Sequence, residues 1–227
     1  MSAIDPMVVA ERLVEVRARV ERVGGRDVVI MAVTKGFGPD AILAAAAVGL
    51  ADVGENYAQE LIAKVPAVAA SLPLPLAVTV HFIGRLQSNK VRQLVPVVDV
   101  FQTIDRSSLI DELARRRPGA RMMVQVNVSD EPQKGGCAPR DALRLVDASR
   151  SAGLIVEGLM TVGRAGSPAQ AAIGFSILRD LADAAEVRHC SMGMTDDLEV
   201  AVTEGSTMIR VGSALFGKRP ESGPSTG

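Results

Sequence analysis

From Asp5 onward the apolar residues Val9, Leu13, Val16, Val20 and Val23 recur at steps of four and three, and the series stops at Gly24-Gly25. That spacing puts them on one stripe of a helix, with Asp5 as N-cap and Pro6 in the first turn. Further along, the pattern changes to β-branched runs: VVIMAVTK from Val28, ADVGEN from Ala51, VTVHFIG from Val78 and VVDVFQTID from Val97. RMMVQVNVS from Arg121, LIVEGLMT from Leu154, EVRHCSMGMT from Glu186 and TMIRVGSALFG from Thr207 complete a set of eight strand candidates. Helical stretches fill the gaps, beginning near Pro39, Tyr57, Gln87, Ser107, Pro139, Pro168 and Asp196.

Val- and Ile-rich runs without strict alternation suit strands covered on both faces, and a strand-helix repeat requires parallel pairing. Eight such units close as a single-domain (β/α)8 TIM barrel, with a doubly wound open sheet as the runner-up. No linker divides the chain. The barrel is expected over residues 1–219, and the Pro-, Ser- and Gly-rich end, 220–227, reads as a disordered tail.

Composition narrows the function classes. The 227 residues carry 25 basic and 26 acidic side chains, a formal charge of -1, and only 3% are aromatic, so neither an electrostatic grip on nucleic acid nor a stacking platform is expected. Cys137 and Cys190 stand far apart and form no metal-type pair, which fits a reducing compartment. The N-terminal stretch mixes acids and arginines into its apolar pattern, so no membrane span or signal peptide is expected and the protein is placed in the cytoplasm.

In a parallel barrel the chemistry belongs at the strand ends that lead into the βα loops. Lys35 ends the first strand, and it is one of only five lysines in a chain whose other basic residues are arginines. A lysine partly desolvated by an apolar strand becomes a nucleophilic amine toward carbonyl compounds. The bland alternative is a solvated lysine, or one paired with Glu55 or Asp40. On the other side of the barrel, Ser191, Gly193, Thr195, Gly212 and Ser213 fit a phosphate cradle, since barrel phosphate sites use the loops after strands seven and eight. Thr195 could instead cap the helix ahead of Asp196 and Asp197. A strand-one lysine facing a phosphate cradle describes a phosphorylated aldehyde.

The remaining candidates read as structure. His81 and His189, the only histidines, are taken as a satisfied barrel residue and a core residue, with no metal site. Gly36 and Gly38 lack the full dinucleotide fingerprint, and Lys134-Gly135-Gly136 reads as a mobile loop. Met160, Met192 and Met194 are core-like, although methionines at strand ends could also line a pyridine ring.

At these residues the chain resembles the pyridoxal-phosphate homeostasis proteins, single-barrel relatives of the N-terminal domain of alanine racemase. The matching stretches are VTKG, VGENYAQE, HFIGRLQSNK, VQVNVSDEPQKGGC, EGLMT, SMGMTDDLEVAV and IRVGSALFG. The resemblance implies pyridoxal 5'-phosphate held covalently on Lys35 as a Schiff base, Arg210 facing the pyridine nitrogen, and phosphate held by Ser191, Thr195, Gly212 and Ser213. Asn56, Met160, Met192 and Gly193 complete the implied cofactor-binding set. Thr195 departs from the family's usual serine but keeps the hydroxyl.

The resemblance further implies a role in vitamin B6 homeostasis with little or no turnover. Apo-enzymes that use pyridoxal phosphate and free amino acids are the expected partners, and a monomer is the expected state. The stretch after Gly217 is not expected to form the second, β domain of alanine racemase, and the one tyrosine is Tyr57, so two-base racemisation is expected to lack its second base. A pyridoxal-phosphate-dependent amino-acid racemase is the alternative, and a cofactor-free Schiff-base aldolase using Lys35 is the third reading.

Overall fold

A computed structural model describes residues 4–71, 78–129, 131–164 and 168–219. The expected tail, 220–227, lies outside the described residues. The chain opens with α1 (Pro6–Arg22), followed by β1 (Val29–Val33), α2 (Pro39–Ala47), β2 (Asp52–Glu55), α3 (Ala58–Ser71) and β3 (Thr79–Phe82). Next come α4 (Ser88–Leu94), β4 (Val100–Ile104), α5 (Ser107–Arg116), β5 (Arg121–Gln125), α6 (Ala142–Ser151) and β6 (Ile155–Met160). The last elements are α7 (Pro168–Ala184), β7 (His189–Ser191), α8 (Leu198–Thr203), β8 (Met208–Val211) and α9 (Ser213–Phe216).

The eight strands form a closed parallel barrel in sequence order. Closure comes from β1 against β8, where Val29 to Ala32 pair with Met208 to Val211, and this pairing excludes the open sheet. Both strand faces are buried, which is why the runs are apolar throughout. Met31 points inward to meet Val100, Met123, Met160 and Met208, while its neighbour Ala32 belongs to the layer between barrel and helices. Flexible thioethers fill the irregular barrel interior without polar cost.

The first helix starts as expected, since Asp5 Oδ1 accepts a bond from Met7 N at 2.9 Å. It buries Val9, Leu13, Val16 and Val20, each contributing about 1.5–3 kcal/mol of apolar transfer. Two expectations shift. Pro139 opens a 3-10 turn, Pro139–Asp141, and α6 begins only at Ala142. The run after Val211 is no strand: Gly212 turns the chain into α9. Among the described residues no helix is long and apolar enough to cross a membrane.

Candidate functional site

The carboxyl ends of the strands enclose an open pocket of about 480 Å³. Val33, Lys35 and Phe37 line it from the β1 exit, Asn56 and Ile83 from β2 and β3, and Met160 and Val162 from β6. Met194, Thr195 and Asp196 enter after β7, Arg210, Gly212 and Ser213 from β8, and Gly217, Lys218 and Arg219 from the end of α9.

Lys35 is half-buried, and its Nζ has no hydrogen-bond partner among the described residues. Neither bland partner reaches it. Glu55 is paired with Lys64 at 2.7 Å, and Asp40 accepts from Ile4 N at 2.8 Å. Burial lowers the Lys35 pKa from the usual lysine value, and the nearby positive charges of Arg219 and Arg210 lower it further. Glu55 is itself fully buried, and desolvation raises its pKa. It accepts from Thr34 Oγ1 at 2.6 Å, while Lys64 also donates to Thr34 O at 2.9 Å. The residue before Lys35 is therefore anchored on both its hydroxyl and its carbonyl.

Across the pocket, Arg210 is fully desolvated, which pushes its pKa down to about 10 and leaves it cationic at neutral pH. Its Nη1 donates to Ser191 O at 2.8 Å and Ser191 Oγ at 2.9 Å, and its Nη2 to Thr161 O at 2.6 Å. The Nε–H has no partner among the described residues.

The cradle at the β7 and β8 exits is assembled from hydroxyls. Ser213 Oγ and Thr195 Oγ1 lie 3.3 Å apart. Thr195 is not the helix cap, because that place falls to Asp197, whose carboxylate turns back to accept from Met194 N. Gly193 adopts φ +93, and a Cβ there would come 2.5 Å from the Ala201 Cβ, so only glycine carries the chain through this turn. Gly193 O in turn accepts from Arg210 N at 2.9 Å, tying the two loops together.

Of the ten residues expected at the site, the structure brings Lys35, Asn56, Met160, Thr195, Arg210, Gly212 and Ser213 to one pocket. Gly193 shapes the adjoining loop. Ser191 is buried beneath the pocket, where its hydroxyl serves Gln102 and Arg210. Met192 is buried among the apolar residues outside the barrel, with its Sδ 3.7 Å from Cys190 Sγ. The reason is alternation: consecutive residues of a strand point to opposite faces, so Ser191 and Met192 cannot both look inward.

Other expectations need correcting. His189 is half-buried rather than core, with a pKa lowered by desolvation. His81 is the satisfied barrel residue expected, with Asp52 of the preceding strand and Gln102 as its partners, neither of them visible in sequence spacing. The Lys134 loop is tied down, since Lys134 Nζ donates to Gly163 O at 2.7 Å and pairs with Glu131. Phe37, Ile83 and Arg219 were not singled out; Phe37 and Ile83 resemble ordinary core residues in sequence, and Arg219 borders a stretch composed like a tail. Among the described residues, no group of three His, Cys, Asp or Glu side chains is placed to hold a metal ion.

This pocket invites comparison with known proteins. The model of the alanine racemase N-terminal domain matches residues 4–220. A pyridoxal phosphate homeostasis protein from Pseudomonas aeruginosa is 39% identical over 96% of this chain and 99% of its own. Among solved structures, PipY of Synechococcus elongatus PCC7942, with pyridoxal phosphate bound, has a TM-score of 0.79 at 33% identity and covers 92% of this chain and 100% of its own. An unknown protein from Bifidobacterium adolescentis has a TM-score of 0.86 at 32% identity, covering 95% and 98%. Fold and site thus define a barrel of the alanine racemase N-terminal class. Within that class, the chain belongs to the pyridoxal phosphate homeostasis protein family.

Proposed function

We propose that this protein binds pyridoxal 5'-phosphate covalently and reversibly at Lys35 and acts as a carrier or regulator of the vitamin B6 cofactor pool, with little or no turnover. The observation that carries this reading is an unpaired, half-buried lysine amine sharing one pocket with a desolvated arginine and a two-hydroxyl cradle. The residues fit the cofactor. Asn56 Oδ1 is buried with no partner, as expected of a group awaiting a ligand donor.

When bound, the cofactor would supply an aldehyde, toward which the Lys35 amine would be the nucleophile, with water as the leaving group. Burial and the neighbouring arginines keep the amine more easily deprotonated than a free lysine. Thr195 and Ser213, with the backbone at Gly193 and Gly212, hold the phosphate end, and Met160 packs at the pocket wall. Arg210 would present a fixed positive charge to the ring nitrogen, which would disfavour protonation there and weaken the ring as an electron sink. Ser191 acts one step back, as the acceptor that holds Arg210, and Met192 packs the outer core.

Among the described residues, the one tyrosine is not placed as the second base of a racemase. Tyr57 is 55% exposed and does not line the pocket. The cytoplasm is the proposed compartment, a monomer the proposed state, and apo-enzymes and free amino acids the proposed partners. The test is delivery: protein loaded with cofactor and freed of excess is mixed with an apo-aminotransferase. Recovery of that enzyme's activity, with less than catalytic exchange of an added amino acid's α-hydrogen in deuterium oxide, is the expected result. Rapid wild-type exchange that collapses in Arg210→Glu would establish the racemase reading instead.

A further inference from the structure

Below the pocket floor a single hydrogen-bonded column crosses the barrel interior. Asp52 Oδ1, at the start of β2, lies 2.8 Å from His81 Nε2, and His81 Nδ1 lies 2.9 Å from Gln102 Nε2. Gln102 Oε1 accepts from Ser191 Oγ at 2.9 Å, and Ser191 Oγ accepts from Arg210 Nη1 at 2.9 Å. His81, Gln102 and Ser191 are each at most 1% exposed, while the Asp52 side chain remains 22% exposed at the opposite end of the barrel. The surroundings are the thioethers and valine of the inner core, where an unsatisfied polar group would cost far more than an apolar one.

The groups at the two ends favour one arrangement of the protons between them. Arginine donates and never accepts, so Ser191 spends one lone pair on Arg210, and its own hydrogen is directed to Gln102 Oε1. That sets the Gln102 amide with its NH2 edge away from Ser191. The same edge faces Met208 Sδ at 3.2 Å, an acceptor only, which favours the same orientation. In that orientation Gln102 donates to His81 Nδ1, which is then bare, and the His81 proton sits on Nε2, facing the Asp52 carboxylate.

We propose that Asp52, His81 and Gln102 are positioning residues for the cofactor ring: through Ser191 they hold Arg210 in one orientation, with its unused donors at the pocket. This rests on the reading of the pocket as a pyridoxal phosphate site. None of the three lines the pocket, so they act through Arg210 alone. A two-ended chain suits this task because a lone arginine held only by carbonyls could pivot among several acceptors. The serine hydroxyl, pinned in turn by Gln102, offers it one.

Two measurements test the relay. In the cofactor-free protein, long-range nitrogen-15 NMR of the imidazole should show His81 protonated at Nε2 and bare at Nδ1; the reverse tautomer would overturn the proposal. The second compares cofactor-loaded variants. Gln102→Met and His81→Leu keep the volume but cut the chain, and each should shift the visible spectrum of the bound cofactor. Each should also speed cofactor loss by about tenfold, the upper scale of one buried neutral hydrogen bond. His81→Asn, whose carbonyl oxygen can stand in for Nδ1 as an acceptor, should recover most of that change. A purely structural column predicts lower melting temperatures with an unaltered spectrum and off-rate, and that outcome overturns the relay while leaving cofactor binding intact. A wild-type protein that takes up no cofactor overturns the functional reading first, whatever the tautomer.

Discussion

At the scale of single residues, the question is what makes one lysine among five reactive. Lys35 differs from Lys64, which is buried but consumed by Glu55 and Glu60, and from Lys134, which is tied to Glu131 and Gly163 O. Because burial and two arginines lower its pKa, its amine is deprotonated over a wider range than a free lysine. The rate of cofactor capture should therefore rise with pH and level off with a midpoint below 10.5, the ordinary lysine value. Removing a positive neighbour weakens that depression, so Arg219→Ala should move the midpoint upward and slow capture at neutral pH; stopped-flow absorbance across pH reads both. Lys35 was legible in sequence because it ends an apolar strand in an arginine-rich chain. Arg219 was not, since nothing in a Lys-Arg-Pro sequence says that it folds back over Gly36, where its Cδ would lie 2.9 Å from a Cβ.

At the scale of elements, α1 stands outside the eightfold repeat yet braces both cradle loops. Arg19 makes a two-bond pair with Glu199 of α8, at 2.6 and 2.7 Å, and donates to Thr195 O at 2.8 Å. Arg12 donates to Leu215 O of α9 at 3.1 Å. Arg19→Ala should leave the fold standing but loosen the Thr195 loop and weaken cofactor affinity about fivefold, near 1 kcal/mol for a partly exposed pair. Titration of cofactor absorbance checks it. A second element-level expectation concerns β3 and the Asn56 turn. A Cβ on Gly84 would stand 1.9 Å from Asn56 O, so Gly84→Ala should displace that backbone and destabilise the protein by about 1–3 kcal/mol or more, measured by urea unfolding. The helix starts at Pro39 and Pro168 were legible from a proline suited to the first turn; the helix at Ser107 begins as expected, although Arg106 and not a serine holds its cap position. The brief helix α9 was not, because four residues carry too little periodicity to distinguish them from a strand end.

At the scale of the molecule, barrel closure converts eight strand exits into one rim, and this was readable from the repeat alone. The side-chain pairings were not. The links from Glu55 to Lys64, Asp52 to His81 and Arg210 to Ser191 join residues 9, 29 and 19 positions apart in adjacent elements, and the pairing of those elements makes them neighbours, whereas Gln102 reaches Ser191, 89 positions away, only across the closed barrel. The Glu55 and Lys64 pair is almost fully desolvated, so Lys64→Ala strands a buried carboxylate and should cost roughly 3–5 kcal/mol. The double variant Glu55→Gln with Lys64→Met should recover much of that loss in thermal unfolding. The account as a whole turns on a covalent link between this barrel and its cofactor at Lys35. The direct measurement is the visible spectrum of the protein after incubation with pyridoxal phosphate, followed by borohydride reduction and mass spectrometry of the peptides. The account predicts a visible band lost on reduction and a fixed adduct on the peptide carrying Lys35, absent in Lys35→Ala. An uncoloured protein, or an unchanged adduct in Lys35→Ala, would contradict it.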